Sequence, residues 1–470
     1  MSLTKEQKRL LIAAGIITLI GIISIHITFN YMDTQTLMVW AVNNWDLLFE
    51  GRISDFYTDK TVGMLGYIRG ASPEAPNIEG SANPLMFIPQ MLWCFPIWVT
   101  HYFNGNTFIG TLGCIYWYKL FLVLMTGVCA FYCYRIVRRI SGDDFRACLA
   151  ALIVMASSEV LLSTGYSGQD EIVYLSFTLI AIDRLICDRY TQFIIWSTVA
   201  VTLCPLVILP LATALVLKQK NLLRIIADLI LMMIPTGLWA VISRNMIRTY
   251  EGHDHIGQVF DYIQLPLVIH GHASVFIIFL LLLLFYCYIR QETDTPELIW
   301  FTSLSVIWLS YLTDSYFYRL MLYIPFLAIM ITSAYDDNLS LKVLLITALE
   351  YARFFSIGID NKIVMNTYYT VDAGWLKAIC ARAGSDQHTA YQGFVEQFFV
   401  YHPSLPQFAG VLNGVIIAII IILLWITRSP DHERISSKCN VRGLYVYVIV
   451  YSLCIPIYML MFWHYAMRCF

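Results

Sequence analysis

Apolar residues along this chain come in long blocks separated by short polar breaks, and the blocks have the length of membrane-crossing helices. A helix needs about 20 apolar residues to cross roughly 30 Å of hydrocarbon. The pattern predicts about thirteen spans, near 10–29, 109–134, 147–164, 172–187, 192–204, 205–217, 225–243, 273–289, 298–313, 320–335, 341–357, 408–427 and 444–463. The fifth and sixth are short and interrupted by Pro205 and Pro210, so that hairpin is expected to stop short of the far surface.

Two further stretches are not counted as spans, the first because of its helical period and the second, though long and apolar enough to be one, because of the charges that follow it. In "FNYMDTQTLMVWAVNNWDLLFEG", residues 29–51, Leu37, Ala41, Trp45 and Leu48 fall on one helical face and Asn43, Asp46 and Glu50 on another. Such a helix lies on a membrane better than it crosses one. The second stretch, 83–103, is punctuated by Pro84, Pro89 and Pro96. Counting it as a span would move the basic run "YRIVRRISGDDFR" to the outer side, so it is read as a second interfacial or shallowly inserted helix.

Orientation follows from the basic residues. With the amino terminus inside, Lys5, Lys8, Arg9, Arg135, Arg138, Arg139, Arg146, Arg184, Arg189, Lys218, Lys220, Arg224, Arg290, Lys342, Arg428, Arg434, Lys438 and Arg442 all fall on inner segments. The long segment 30–108 holds only Arg52, Lys60 and Arg69 and lies outside. The carboxyl terminus is then also outside.

Composition agrees with the pattern. Hydrophobic residues make up 59% of the 470 and charged residues 13%, and the mean hydropathy is +0.66, which excludes a soluble core with a wetted surface. The formal net charge of −2 lacks the basic footprint of a nucleic-acid partner. Most of the twelve cysteines sit in apolar runs and no CxxC pair occurs, so they read as small buried residues. The amino-terminal "MSLTKEQKRLL" and its apolar sequel carry no small-x-small cleavage site and read as a retained span.

Charges inside apolar spans are costly unless paired or wetted. Lys119 and Glu159 fall in the outer halves of the second and third spans, close enough in depth to meet. Glu350 and Arg353, one turn apart, read as satisfying each other, with Arg353 also available to a phosphate. Asp183 and Asp228, near inner ends, need only solvation. "HDH" at 253–255 and "HGH" at 270–272 share one segment with Asp254 and Asp261, but no strand or helix register fixes them, and no metal site is assigned. The outer segment 358–407 mixes aromatic and polar residues and suits a lid or acceptor-binding element.

Four stretches together resemble the C-type polytopic glycosyltransferases, which take a sugar from a polyprenyl-phosphate carrier. Asp33 and "NWDLLFEGRISDFY" are similar to that superfamily's first-loop acid and first juxtamembrane helix, and "SANPLMFIPQMLWCFP" to the entry of the second, with Asn83-Pro84 where Tyr-Pro-Pro is usual. "STGYSGQDEIVYLSF" resembles the outer loop after the third span, and "DSYFYRLMLYIPFLAIM" the Arg-Tyr element of a late span, with Leu320 in place of Tyr. The resemblance covers the topology of about the first 340 residues. It implies an all-α, polytopic membrane protein whose long first outer loop carries two juxtamembrane helices, residues 1–340 forming the glycosyltransferase-like module and 341–470 the carboxyl-terminal helices.

It also implies a chemistry. Asp33 is the candidate general base, Gln169, Asp170, Glu171, Asp314 and Tyr318 would bind substrate, and Arg319, with Arg353 as a second contact, would hold the phosphate. The partners implied are a polyprenyl-phosphate sugar, a glycan, lipid or protein acceptor, and the bilayer, in a bacterial plasma membrane; a divalent cation is an open option. Each site residue has a plainer reading beside this one: helix N-cap for Asp33, helix-start acids in a wet loop for Asp170 and Glu171, interfacial snorkelling for Arg319. The competing class is a secondary transporter or lipid flippase, for which broken helices at the midplane would speak. A non-catalytic scaffold is the third.

Overall fold

A computed structural model describes residues 3–28, 32–53, 84–104, 111–243, 263–267, 271–291, 293–312, 317–333, 338–359, 405–428, 443–454 and 456. Helices dominate: α1 Lys5–Thr28, α2 Met32–Phe49, α3 Ile88–Asn104, α4 Leu112–Ser141, α5 Asp144–Ala156, α6 Glu171–Ile186, α7 Tyr190–Leu203, α8 Ile208–Lys218 and α9 Leu222–Ser243. Then follow α10 Val275–Ile289, α11 Thr295–Tyr311, α12 Tyr323–Ser333, α13 Leu339–Ile359, α14 Leu405–Thr427 and α15 Gly443–Cys454. Among the described residues four helices are long and apolar enough to cross a membrane, five if one bent pair is a single span, and several shorter apolar helices accompany them. The least covered is α9, with 11% of its most apolar window buried and Leu223 and Val241 exposed at 80% and 73%. Such a surface belongs in lipid rather than water, so this is a membrane protein.

One exception to the all-helical expectation is a hairpin, β1 Gln264–Leu267 paired antiparallel with β2 Gly271–Ser274. It supplies the register that the sequence alone lacked for His272, which stands opposite Pro266 and is exposed. His253, Asp254, His255, Asp261 and His270 lie outside the described residues.

The chain divides into two compact units. The first comprises Met1–Tyr31, Cys133–Gly168 and Ile324–Phe470, the second Met32–Tyr132 and Gln169–Tyr323. These boundaries follow packing, whereas the division at residue 340 rests on the resemblance.

In the first unit α1 packs along α5 and α13 along α14. The third predicted span is not continuous. At Ser157 the backbone turns extended (φ −63°, ψ 129°), and α5 bends by 44° into the segment Ser158–Ser167, whose second part, Leu162–Ser167, is a π-helix. Neither Pro nor Gly stands at the break; the freed Ser158 N–H donates instead to Glu350 Oε2 at 2.8 Å. The π-helix presses on α1 at Gly165, where a Cβ would lie 2.6 Å from Ile25 Cγ2 and 2.9 Å from His26 Cε1. Close approach explains the glycine.

In the second unit α2 and α3 run side by side in the same direction: Trp40 meets Phe87, Trp45 meets Phe95, and Phe49 stacks on Trp98 at 4.8 Å. Two indole N–H groups fix the pair, Trp45 donating to the Met91 carbonyl at 2.8 Å and Trp98 to Asp46 Oδ1 at 2.7 Å. This packing rotates α2 away from the expected face. Leu37 and Ala41 are buried, but Leu48 is half exposed and Asn44 is buried. Elsewhere in this unit α7 packs on α6 and α9, and Phe276, Leu280 and Leu309 form a small core between α10 and α11. Asp183, expected to be solvated, is wholly buried on α6, 3.8 Å from the Arg184 guanidinium, and Asp228 accepts a hydrogen bond from the Tyr190 hydroxyl.

Candidate functional site

The polar residues of the second unit gather where α3, α4 and the start of α6 meet. Gln169, Asp170 and Glu171 keep only 7%, 6% and 5% of their surface, so they are not the wet loop acids of the plainer reading. Asp170 occupies the N-cap position of α6, yet its side chain makes no capping bond there. It accepts from Gln90 Nε2 at 2.5 Å, a bond between residues 80 positions apart.

Gln90 is held there by its helix. One turn further on, Trp93 stacks on Trp117 of α4 at 4.9 Å, and each indole N–H donates to the other residue's carbonyl, at 2.8 and 2.9 Å. This lock sets α3 against α4 beside Tyr118. The Tyr118 ring is fully buried, within electrostatic reach of Asp170, Cys94 and Glu171, and its hydroxyl has no hydrogen-bond partner among the described residues. Gln90 Oε1 and both amide atoms of buried Asn44 are likewise unpaired. Cys94, one turn from Gln90, is buried, and burial pushes its thiol well above the usual range, with Cys114 adding to the effect, so it is no nucleophile.

Asp33 is the second residue of α2 and so lies in its first turn, within the same unit as Asp170. Tyr318 and Arg319 belong to a short 3-10 helix, Phe317–Leu322, also in that unit. Asp314, and the side chains of Asp33, Tyr318 and Arg319, lie outside the described part of the chain.

Arg353 belongs to the first unit and does not pair with Glu350. Its Nε lies 3.3 Å from Glu159 Oε1, both side chains buried. Glu350 accepts from the Ser158 N–H and hydroxyl and from the Tyr451 hydroxyl at 3.2 Å, which also reaches the Ile153 carbonyl at 2.7 Å. The i, i+3 spacing therefore misassigned the pair, because the helix break at Ser157 offers Glu350 better donors than Arg353 does.

Sequence reasoning missed Gln90, Tyr118 and Asn44. The signal available for Gln90 was an amide in the middle of the apolar run 83–103, since a buried amide must find a partner. Among the described residues no group of three His, Cys, Asp or Glu side chains is placed to hold a metal ion. No protein-family model matches the chain, and no curated protein matches it either.

Proposed function

We propose that the chain is a membrane glycosyltransferase of the C type, with about thirteen spans, a cytoplasmic amino terminus, and α2 and α3 lying along the outer face of a bacterial plasma membrane. In this reading Asp33 takes the proton of an acceptor hydroxyl. The acceptor oxygen bonds to the anomeric carbon as the bond from that carbon to the lipid phosphate breaks, and Arg319 holds the departing phosphate. Gln169, Asp170 and Glu171 bind sugar hydroxyls, and Asp314 and Tyr318 are further substrate-binding candidates. Arg353 is already neutralised by Glu159, which leaves the phosphate to Arg319.

The observation that carries this reading is the Asp170–Gln90 bond. It draws the start of α6 to α3 in the unit that also contains Asp33, burying carboxylates that a plain loop would leave in water. Purified protein incubated with a panel of polyprenyl-phosphate sugars is expected to release polyprenyl phosphate. No release from any donor, in the presence of glycan and lipid acceptors, would sink the proposal.

A carrier is the second reading, favoured by one observation: the span broken at Ser157 with Glu350 and the Glu159–Arg353 pair buried beside it. Uptake of labelled sugar or glycolipid into proteoliposomes, without release of lipid phosphate, would favour it.

A further inference from the structure

We propose that Gln90 and Tyr118 complete Asp170 and Glu171 into a recognition set for the hydroxyl groups of a sugar. The inference rests on the glycosyltransferase reading for the fate of that sugar, though not for its binding.

The argument is a count of donors and acceptors. Gln90 gives an amide proton to Asp170, which fixes the amide plane and leaves Oε1 as a buried acceptor without a donor. The Tyr118 hydroxyl, within electrostatic reach of Asp170 and Glu171, is buried with no hydrogen-bond partner among the described residues. A buried polar group left unpaired costs about 1–3 kcal/mol, so two in one place call for an occupant that pairs them. The set is acceptor-rich: two carboxylates and an amide oxygen, against one hydroxyl able to donate or accept. A carboxylate or a phosphodiester brings no proton for Gln90 Oε1, and an apolar chain leaves both orphans unpaired. A vicinal diol fits, since each hydroxyl has one proton to donate, to Gln90 Oε1 or to a carboxylate, and one of the two accepts the single proton of Tyr118. Sites of this kind reject analogues that lack the hydroxyl.

Calorimetric titration of the full-length protein in detergent with methyl glycosides of glucose, galactose, mannose and N-acetylglucosamine tests the assignment. At least one is expected to bind, and Tyr118→Phe to weaken it about tenfold, the effect of one lost hydrogen bond. Because the hydroxyl has no partner to lose, the same variant should keep or raise the melting temperature of the ligand-free protein. Gln90→Leu should also weaken binding. The assignment is overturned if no glycoside binds, if Tyr118→Phe binds as tightly as the parent, if that variant melts several degrees lower, or if binding follows Mg²⁺ or inorganic phosphate instead of sugar. Glycoside binding lost in Tyr118→Phe, with no lipid phosphate released from any donor, would remove the transferase reading and leave this one. Full transfer rates in both variants would do the reverse.

Discussion

Arg353 Nε lies 3.3 Å from Glu159 Oε1, with both side chains buried, although Glu350 stands one turn away from Arg353 on the same helix. The pairing ties α13 to the segment that follows the break at Ser157, and Glu350 ties the same two elements through Ser158. Removing one member of a buried ion pair leaves an uncompensated charge, at about 3–5 kcal/mol. Glu159→Gln is therefore expected to lower the unfolding midpoint in detergent sharply. Combined with Arg353→Gln the losses should fall short of additive by about 1 kcal/mol or more, the mark of direct contact. Additive losses for that pair would show that Arg353 is held elsewhere.

Gly165 gives a test of local packing in the same unit. A methyl group there meets Ile25 Cγ2 at 2.6 Å and His26 Cε1 at 2.9 Å, so Gly165→Ala should destabilise by about 1–3 kcal/mol, the usual range for overpacking. Ile25→Ala removes the nearer atom and should recover part of the loss in the double variant. Gly15→Ala on α1, where nothing lies within 4 Å, is the control and should be neutral or stabilising by up to about 1 kcal/mol. Equal melting temperatures for Gly165→Ala and Gly15→Ala would refute the close approach.

What the sequence revealed and what it hid divide along physical lines. Runs such as 10–29 and 225–243 were legible because a sustained apolar block has one common use, and helices stand there. Pro205 was expected to interrupt the chain and does, at a 3-10 turn Pro205–Val207 between α7 and α8, whereas Pro210, also expected to interrupt it, sits in the first turn of α8 without breaking the helix. The break at Ser157 was not legible, because Ser-Ser-Glu contains no breaker; it is stabilised by Glu350, which is distant in sequence. Burial of Asp183 escaped notice for a similar reason, since depth within a bundle depends on neighbours that periodicity does not name. At the candidate site, charge drew attention to Asp170 and Glu171, whereas neutral Gln90 and Tyr118 were silent until α3 and α4 were seen locked by Trp93 and Trp117.

Topology has a direct check. With 30–108 outside and α3 not crossing, Arg52→Cys should react with an impermeant maleimide on intact cells, and Ser141→Cys only after permeabilisation. Cys94 should stay unlabelled in both states until the protein is denatured, because it is buried and its thiol is pushed far above neutrality. Labelling of Ser141→Cys from outside would invert the arrangement and make α3 a span.

Asp33 decides the mechanism. Asn has nearly the size of Asp, and loss of one first-turn charge costs only about 0.3–1 kcal/mol, so Asp33→Asn should still insert and fold. It cannot take a proton, so turnover of a polyprenyl-phosphate sugar is expected to fall by a factor of about 10² or more, with the donor concentration needed for half-maximal rate little changed. Arg319→Ala should show the other pattern, a raised requirement for donor, because a lost phosphate contact weakens binding in the ground state as well as beyond it. Asp170→Asn separates the two roles: it retains an oxygen able to accept from Gln90 but loses charge beside Tyr118, so sugar binding should weaken while the base remains intact. EDTA should leave the parent rate largely unchanged if the carboxylates act without a cation, and abolition with rescue by Mn²⁺ or Mg²⁺ would assign Asp33 and its neighbours to a metal instead. Near-normal turnover in Asp33→Asn would reduce that residue to a helix-start acid and remove the proposed base.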